Sequence, residues 1–305
     1  MERRNFLKQN VLVGGSLLAG SSLLAQSTKA NNLIDSTPYK LHYGTHDGMF
    51  ENMAGSNFID QIKYAHSIGF TAIEDNGMMG RTPEMQQKIG DTLASLNMHM
   101  GVFVLNFSSN DKINLTTGSQ DWKDKFVASC HEAVEVAKRT NAKWITVVPG
   151  NFDRRLPMGI QTGNVIDGLR KGVEVLEKHN LVIVLEPLSD TPDLFLRYSD
   201  QTYTICKAIN SPSCKILFDM YHMQKNEGNM ITNMDRCWDE IAYFQIGDNP
   251  GRNEPGTGEV NYRNIFKHIN DKGYKGVLGM EHGKAGKGKE GELALIKAYR
   301  DADNF

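Results

Sequence analysis

The chain has 305 residues, of which 40% are hydrophobic, and a formal net charge of −2 at pH 7. This length allows one large domain or two small ones, because single α/β barrels run to about 250 residues or more. The nearly balanced charge argues against a nucleic-acid partner, because nucleic-acid-binding domains usually carry a basic excess. The apolar content is that of an ordinary packed globular protein.

The first 30 residues predict an export signal. Arg3 and Arg4 are followed, over residues 11–25, by a run of almost purely apolar and small side chains. This run is shorter than the roughly 20 residues that a membrane-spanning helix needs, so a signal peptide is favoured over an uncleaved membrane anchor. The arginine pair resembles a twin-arginine signal, through which folded proteins are exported. We therefore expect a periplasmic protein without stable membrane association once residues 1–30 are removed.

After a polar linker, residues 31–40, short apolar runs alternate with amphipathic stretches. Continuous apolar runs of this length are typical of strands buried on both faces, as in parallel sheets. The eight runs cover residues 41–43, 72–73, 102–105, 144–148, 181–185, 216–218, 242–246 and 277–280. Eight strands alternating with helices predict a single-domain (β/α)8 TIM barrel over residues 41–305. The alternative is an open doubly wound sheet, but neither GxGxxG nor a phosphate-binding loop motif follows the first run.

Helical spacing and capping signals separate these runs. Residues 58–68 carry apolar side chains at helical spacing, and Gly69 follows as a C-terminal cap. Thr82 stands before a proline and predicts a helix start, and Ser199 or Asp200 is expected to cap a later helix. Further helical patterns cover residues 126–137, 165–176 and 265–269.

Four consecutive apolar runs are followed by or end in a polar side chain at the carboxyl ends of the strands, where a TIM barrel has its active site. These side chains are Glu186, Asp219, Gln245 and Glu281. A single acid at such a place more often caps a helix or pairs with a basic residue, because an unpaired buried charge is costly. Four polar groups on adjacent strands instead predict a divalent cation, and their hard oxygen ligands favour Mg²⁺ or Mn²⁺.

Several segments around these residues carry a more specific pattern. They are Leu185-Glu186-Pro187, Phe218-Asp219-Met220-Tyr221-His222-Met223-Gln224, Phe244-Gln245-Ile246, Asp248-Asn249-Pro250-Gly251-Arg252, Glu254-Pro255-Gly256-Thr257-Gly258-Glu259 and Asn261-Tyr262. Together they resemble the hydroxypyruvate isomerase family, which belongs with the xylose-isomerase-like barrels. The resemblance is strongest over residues 181–282.

The resemblance assigns roles to individual side chains. It implies cation ligands at Glu186, Asp219, Gln245 and Glu281, an acid/base pair at Glu186 and Glu281, and substrate contacts from His222 and Arg252. The residues alone leave two alternatives open: the histidine could orient the aspartate, and the arginine could fix its own loop by pairing with Glu254 or Glu259.

The sequence departs from the family pattern after the last predicted ligand. His282-Gly283-Lys284 stands where the family has an aromatic residue and a proline. Because this segment follows the last strand, it lies at the mouth of the predicted barrel. Because of this departure, the resemblance does not identify the substrate.

For activity, the resemblance implies a metal-dependent isomerase of a small hydroxy-carbonyl or sugar substrate. The cation would polarise a carbonyl, and the two glutamates would move a proton through an ene-diolate. The same site would suit a ketose 3-epimerase or a sugar dehydratase, and a non-catalytic periplasmic sugar-binding barrel is a further alternative. Phosphodiester cleavage, as in endonuclease IV, is disfavoured because that chemistry uses several metals and many histidines, whereas this chain has Gln245. Barrels of this family often form homo-oligomers, although the sequence shows no interface signature.

Overall fold

The structure is a computed structural model, which describes residues 35–108 and 112–305. The predicted export signal, residues 1–30, lies outside these residues. Within the described part of the chain, no helix combines the length and hydropathy that crossing a membrane requires.

Each of the eight predicted apolar runs overlaps a strand, and all strands pair in parallel within one sheet. The unbroken apolar runs predict strands buried on both faces, and all four residues of the strand Val182–Leu185 are buried. In chain order the segments are β1 (His42–Thr45), β2 (Ala72–Ile73), β3 (His99–Met100), β4 (Phe103–Val104), β5 (Trp144–Val147), β6 (Val182–Leu185), β7 (Cys214–Asp219), β8 (Ile241–Gln245) and β9 (Val277–Gly279).

Segments β3 and β4 are two pieces of one interrupted third strand, and they close the sheet into a barrel. β3 pairs with β2 and β4 pairs with β5, while the remaining neighbours run in the order β2, β1, β9, β8, β7, β6, β5. Between the two pieces, the Gly101 N–H donates to the Ile73 carbonyl at 2.7 Å, and the Val102 carbonyl accepts from the Asp75 N–H at 3.2 Å. The architecture is therefore the predicted (β/α)8 TIM barrel, with β3 and β4 counted as one strand.

The interruption coincides with a close approach inside the barrel. A Cβ atom on Gly101 would lie 2.3 Å from the Tyr243 hydroxyl oxygen and 2.8 Å from the Ile73 carbonyl oxygen, so no side chain fits there. Tyr243 is fully buried in a core cluster with Val184 and Leu217. The third strand thus breaks where a hydroxyl from β8 reaches its backbone.

Helices surround the strands, and six of them confirm the helices predicted from spacing and capping signals: α2 (Phe58–Ser67), α3 (Pro83–Ser95), α4 (Gln120–Thr140), α5 (Met158–Leu176), α6 (Ser199–Ile209) and α9 (Tyr262–Asp271). Thr82 caps α3 as predicted, with its hydroxyl oxygen accepting from the Met85 N–H at 3.3 Å. Gly69 follows α2 in the left-handed region, at φ 94°. The other helices of the described residues are α1 (Glu51–Ala54), α7 (Met220–Asn226), α8 (Met230–Cys237) and α10 (Gly288–Asp303).

The cap predicted for α6 is wrong. Neither Ser199 nor Asp200 caps this helix, because Ser199 is already its first residue and Tyr198 stands at the cap position without a side-chain hydrogen bond. The Ser199 N–H instead donates to Glu227 Oε1 at 2.9 Å, just beyond the end of α7. The Glu227 carboxylate thus accepts a backbone N–H at the start of α6, as the side chain of a local cap would do.

Candidate active site

The four polar residues at the strand ends lie together at the carboxyl edge of the barrel. Asp219 ends β7 and Gln245 ends β8, opposite each other in register, while Glu186 follows β6 and Glu281 follows β9. The first three are buried, and 22% of the Glu281 side chain is exposed. Arg252 Nη2 lies 3.0 Å from Asp219 Oδ2 and 2.5 Å from Glu281 Oε2, so these two carboxylates approach a common point.

The two carboxylate oxygens of Asp219 have different partners, one in helix α7 and one in the candidate site. Oδ1 accepts from the Tyr221 N–H at 2.7 Å and from the His222 N–H at 3.4 Å, which caps α7. Oδ2 faces the other carboxylates and Arg252. Helix capping and a position in the cluster are therefore compatible for this residue.

His222, on α7, faces the same carboxylates. Its Nε2 atom lies 3.6 Å from Asp219 Oδ2 and 3.8 Å from Glu186 Oε1, and both distances exceed a hydrogen bond. Each of the three side chains places one ligand atom within 4.8 Å of the others, which is close enough to share a cation. The two carboxylates of this group therefore offer oxygen atoms that could hold a divalent cation beside the histidine.

The tautomer of His222 follows from its other ring nitrogen. The backbone N–H of Ser189 donates to His222 Nδ1 at 3.1 Å, and the Ser189 hydroxyl lies 2.8 Å from the same atom. A backbone N–H can only donate, so Nδ1 carries a lone pair and the proton of the neutral ring sits on Nε2. Burial lowers the pKa of His222 and favours this neutral form. Nε2 is buried without a hydrogen-bond partner, so it presents an N–H donor to the site.

Gln245 is oriented by a second buried acid. Gln245 Nε2 donates to Glu74 Oε1 at 2.8 Å, and Glu74 is completely buried at the end of β2. The other amide atom, Gln245 Oε1, is buried and has no hydrogen-bond partner. A buried carbonyl oxygen without a donor is costly, so this atom is suited to a cation or an external donor.

Arg252 contacts the acid cluster and neither of the loop glutamates. Besides its contacts with Asp219 and Glu281, its Nε donates to the Glu281 carbonyl at 3.1 Å, and its guanidinium lies 4.8 Å from the centre of the Tyr221 ring. Glu254 and Glu259 engage other partners, the Ala285 N–H and Gln224 Nε2 respectively. The loop-fixing pair that the sequence left open is thus absent among the described residues, and a positive charge is held at the site.

Asp248 builds the loop that carries Arg252. This fully buried carboxylate accepts from the N–H groups of Gly256 and Gly258 at 2.9 Å and from the Val260 N–H at 3.1 Å. A Cβ on Gly258 would lie 2.0 Å from a backbone carbonyl oxygen, so only glycine fits. The hydrogen bonds of Asp248 hold residues 248–260 around one buried carboxylate. They explain why this segment carries the specific sequence pattern noted above.

Asn76 also belongs to the site, although sequence reasoning did not identify it. Its Nδ2 donates to Glu281 Oε1 at 2.6 Å, and its Oδ1 is buried without a partner. The residue follows β2 by three positions. Its place after an apolar run was the only available signal, and a single asparagine there is equally consistent with an ordinary turn.

The two glutamates of the cluster are shifted toward their protonated forms. Burial, followed by repulsion from Glu281 and Asp219, raises the pKa of Glu186 well above its usual range. Burial also raises the pKa of Glu281 to about 8, although Arg252 opposes the shift. Carboxyl groups with pKa values near neutrality are suited to giving and taking protons.

His282 lies away from the cluster. Its Nε2 is 2.7 Å from the Tyr299 hydroxyl, and the two rings stack with centroids 5.8 Å apart. The segment in which the sequence departs from the family therefore turns one side chain toward α10. The next basic residue, Lys284, donates to the Gly48 and Met49 carbonyls and to Glu292.

Comparison with known proteins places the fold in a family. Residues 62–300 match the sequence model described as xylose isomerase-like TIM barrel. Hydroxypyruvate isomerase of Escherichia coli is 30% identical over 184 residues, which cover 58% of this chain and 69% of that protein. The 2-oxo-tetronate isomerase of Cupriavidus necator is 30% identical over 136 residues, which cover 44% of this chain and 52% of that protein.

A solved structure supports the same architecture. The AP endonuclease, family 2, from Brucella melitensis superposes with a TM-score of 0.73 at 20% identity, covering 85% of this chain and 99% of that chain. At this identity the likeness concerns the fold alone. The resemblance seen in the sequence and the barrel seen in the structure thus agree with both kinds of comparison.

Proposed function

The chain belongs to the xylose isomerase-like TIM barrel family, and we propose that it is a metal-dependent isomerase of small hydroxy-carbonyl compounds, close in activity to hydroxypyruvate isomerase. One observation carries most of the proposal. Glu186, Asp219, Gln245 and Glu281 converge from four adjacent strands, and the two glutamates have raised pKa values. Relatives named isomerases support the same class of reaction.

The donor set fits a divalent cation. Gln245 Oε1 is a buried acceptor without a partner, and the neighbouring carboxylates supply anionic oxygens. His222 has its proton on Nε2 and offers a donor there, so the ligands we assign are Glu186, Asp219, Gln245 and Glu281. An all-oxygen set of this kind favours Mg²⁺ or Mn²⁺. A cation held there would supply positive charge that polarises a substrate carbonyl and acidifies the neighbouring C–H group.

The two glutamates move the proton. In one direction, one carboxylate takes a proton from the hydroxyl-bearing carbon beside the carbonyl, and the other carboxyl delivers a proton to the former carbonyl carbon of the ene-diolate. The proton of the substrate hydroxyl passes to the former carbonyl oxygen, so the two oxygens exchange roles and the step balances. The pKa of Glu281 is raised to about 8 and that of Glu186 is raised by burial and by the neighbouring carboxylates, which supports a part for both groups in proton transfer. Asn76 holds Glu281 through its Nδ2 hydrogen bond and so keeps that carboxyl in place.

Three further side-chain groups are available to orient the substrate. The His222 Nε2–H group can donate to a substrate oxygen, and Asn76 Oδ1 can accept from a substrate hydroxyl, because both are buried without partners. The Arg252 guanidinium suits a carboxylate, which hydroxypyruvate and other 2-oxo acids carry. A small hydroxylated 2-oxo acid is therefore the substrate class that we favour.

The same proposal includes a periplasmic location and no nucleic-acid partner. It rests on the arginine pair and apolar run in residues 1–30 and on the net charge of −2. Fractionation of the native host tests the location. A processed chain in the periplasm is expected, whereas a full-length, unprocessed chain confined to the cytoplasm would overturn this part.

Product analysis by NMR in D₂O tests the reaction. Protein loaded with Mg²⁺ or Mn²⁺ is incubated with hydroxypyruvate, 2-oxo-tetronate and a panel of ketoses. We expect isomer formation with solvent deuterium entering the carbon that receives the proton. Glu186→Gln and Glu281→Gln should each be slower by about 100- to 10,000-fold, because each removes an acid/base group.

Glu174→Gln is the matched control, because Glu174 is exposed on the outer helix α5. It should retain the wild-type rate. Full activity in both site variants would contradict the two-glutamate mechanism. Epimer or dehydrated product without isomer would replace isomerisation by one of those reactions, and binding without turnover would favour a sugar-binding role.

A further inference from the structure

Glu74 contacts the proposed cation ligand Gln245, but it is neither one of the assigned ligands nor one of the acid/base residues. We propose that it is a positioning residue that fixes the Gln245 amide with its oxygen toward the cation. This inference rests on the proposed function, because it assigns a task toward the same site.

Both oxygens of Glu74 are engaged by donors from other strands. Oε1 accepts from Gln245 Nε2 at 2.8 Å and lies 3.0 Å from His46 Nε2. Oε2 accepts from the Tyr243 hydroxyl at 2.7 Å. With both oxygens turned to these groups, the carboxylate of Glu74 serves to hold its neighbours in place.

The carboxylate decides which way the amide of Gln245 points. An amide has a donor end and an acceptor end, and a carboxylate oxygen can pair only with the donor end. Glu74 Oε1 therefore holds Nε2, and the amide oxygen is turned to the opposite side. That oxygen is buried and has no partner. Without the carboxylate, the amide could rotate by half a turn and present its NH₂ group, which cannot bind a cation.

The barrel makes room for Glu74 by omitting side chains. A Cβ atom on Gly279 would lie 1.5 Å from Glu74 Oε2 and 2.5 Å from its carboxyl carbon. A Cβ on Gly101 would collide with the Tyr243 hydroxyl that binds the same oxygen. Glycine therefore stands at both places where a side chain would collide with the Glu74–Tyr243 pair. The space admits the buried carboxylate, and its hydrogen bonds offset the free-energy cost of burying it.

Exchanging the two side chains tests this role. Glu74→Gln removes the fixed orientation and should weaken Mn²⁺ affinity by about 10- to 100-fold, the usual effect of losing an outer partner of a ligand. Gln245→Glu places two carboxylates against each other and should also weaken binding. The double variant restores one acid and one amide in exchanged places, so it should recover most of the loss of either single change.

Mn²⁺ affinity is measured on metal-free protein by the EPR signal of the free ion, and thermal unfolding of each variant reports on folding. A role confined to stability predicts no recovery in the double variant. If Gln245→Glu fails to fold, Gly279→Ala provides a second route, because it displaces Glu74 by collision and should weaken Mn²⁺ affinity by a similar factor.

The outcomes separate this inference from the proposed function. Wild-type protein that binds no Mn²⁺ would overturn the proposed function together with its dependent inference. Wild-type binding with unchanged affinity in Glu74→Gln would overturn only the role of Glu74. Loss of affinity in both single variants without recovery in the double variant would also contradict the orientation argument.

Discussion

Two hydrogen bonds decide which side-chain atoms face the site. The Ser189 N–H leaves His222 with a donor, and Glu74 leaves Gln245 with an acceptor. The two residues therefore present opposite chemistry, a proton to a substrate oxygen and an oxygen to a cation. In each case the partner that fixes the orientation lies on a different strand-end segment from the residue it orients.

Replacing His222 by Asn separates a substrate contact from a cation ligand. Because Nε2 carries the proton, we expect Mn²⁺ affinity to stay near the wild-type value. Loss of a hydrogen bond to a charged group costs about 1.5–3 kcal/mol, so kcat/KM should fall by roughly 10- to 100-fold. EPR titration and steady-state kinetics measure the two quantities. A large loss of Mn²⁺ affinity would instead make the histidine a ligand.

Some site residues can be predicted from sequence because their signal is local. Asp219 and Gln245 stand at the ends of unbroken apolar runs, where a polar side chain is conspicuous. Glu74 stands at such an end too, but its role depends on a contact with a residue 171 positions away. Asn76 has only its place after an apolar run as a local signal, and its role becomes apparent from its contact with Glu281 and from its unpaired oxygen.

At the scale of elements, the segment 248–260 behaves as one unit organised by Asp248. Its carboxylate satisfies three backbone N–H groups, which a loop without regular structure could not pair by itself. The Arg252 N–H also donates to the Asp248 carbonyl at 2.7 Å. The position of the arginine thus depends on this aspartate more than on any ion pair within the loop.

Replacing Asp248 by Asn should loosen the segment, because one carboxylate oxygen becomes an NH₂ group facing backbone donors. We expect the free energy of unfolding to fall by about 1.5–3 kcal/mol and kcat/KM to fall with it. Chemical denaturation and kinetics measure these effects. Asp167→Asn, at an exposed ion pair on α5, should change stability by at most about 1 kcal/mol. Equal effects of the two changes would contradict the organising role.

The strands were easier to predict than several helices, for physical reasons. A buried strand leaves a continuous apolar run in the sequence. Helix α7 has only 7 residues, and its cap, Asp219, is equally consistent with a cation ligand. α8 begins after Asn229 in a left-handed conformation, and neither α8 nor α10 has a side-chain cap. The break in the third strand at Gly101 coincides with the close approach of the Tyr243 hydroxyl, a tertiary contact that no local pattern reveals.

At the scale of the whole molecule, Glu292 on α10 connects the last helix to α1, the helix that follows the first strand. The carboxylate is completely buried and accepts from the N–H groups of Asn52 and Met53 at 2.9 Å and from Lys284 Nζ at 3.1 Å. Burial alone would raise the pKa of Glu292, but the hydrogen bonds from Asn52 and Lys284 outweigh it and lower the pKa. These hydrogen bonds connect α1 to α10, whose residues Asn52 and Glu292 are 240 positions apart in the sequence.

This lowered pKa gives stability a defined pH dependence. Because the folded pKa lies below the unfolded value near 4.5, the contribution is complete above that value and is lost as pH falls through the folded pKa. Glu292→Gln should therefore be less stable than wild type at pH 7, by about 1.5–3 kcal/mol, and should lose less stability on acidification. Denaturation between pH 7 and acid measures this. Parallel curves would contradict the assignment.

The central claim concerns which atoms hold a cation at the carboxyl edge of the barrel. Anomalous diffraction from crystals soaked with Mn²⁺ tests it most directly, because the ion and its ligands are located independently of activity. We predict one anomalous peak bound by Glu186, Asp219, Gln245 Oε1 and Glu281, with His222 Nε2 outside bonding distance. A peak bound by His222 Nε2, or no peak among these side chains at saturating Mn²⁺, would contradict it.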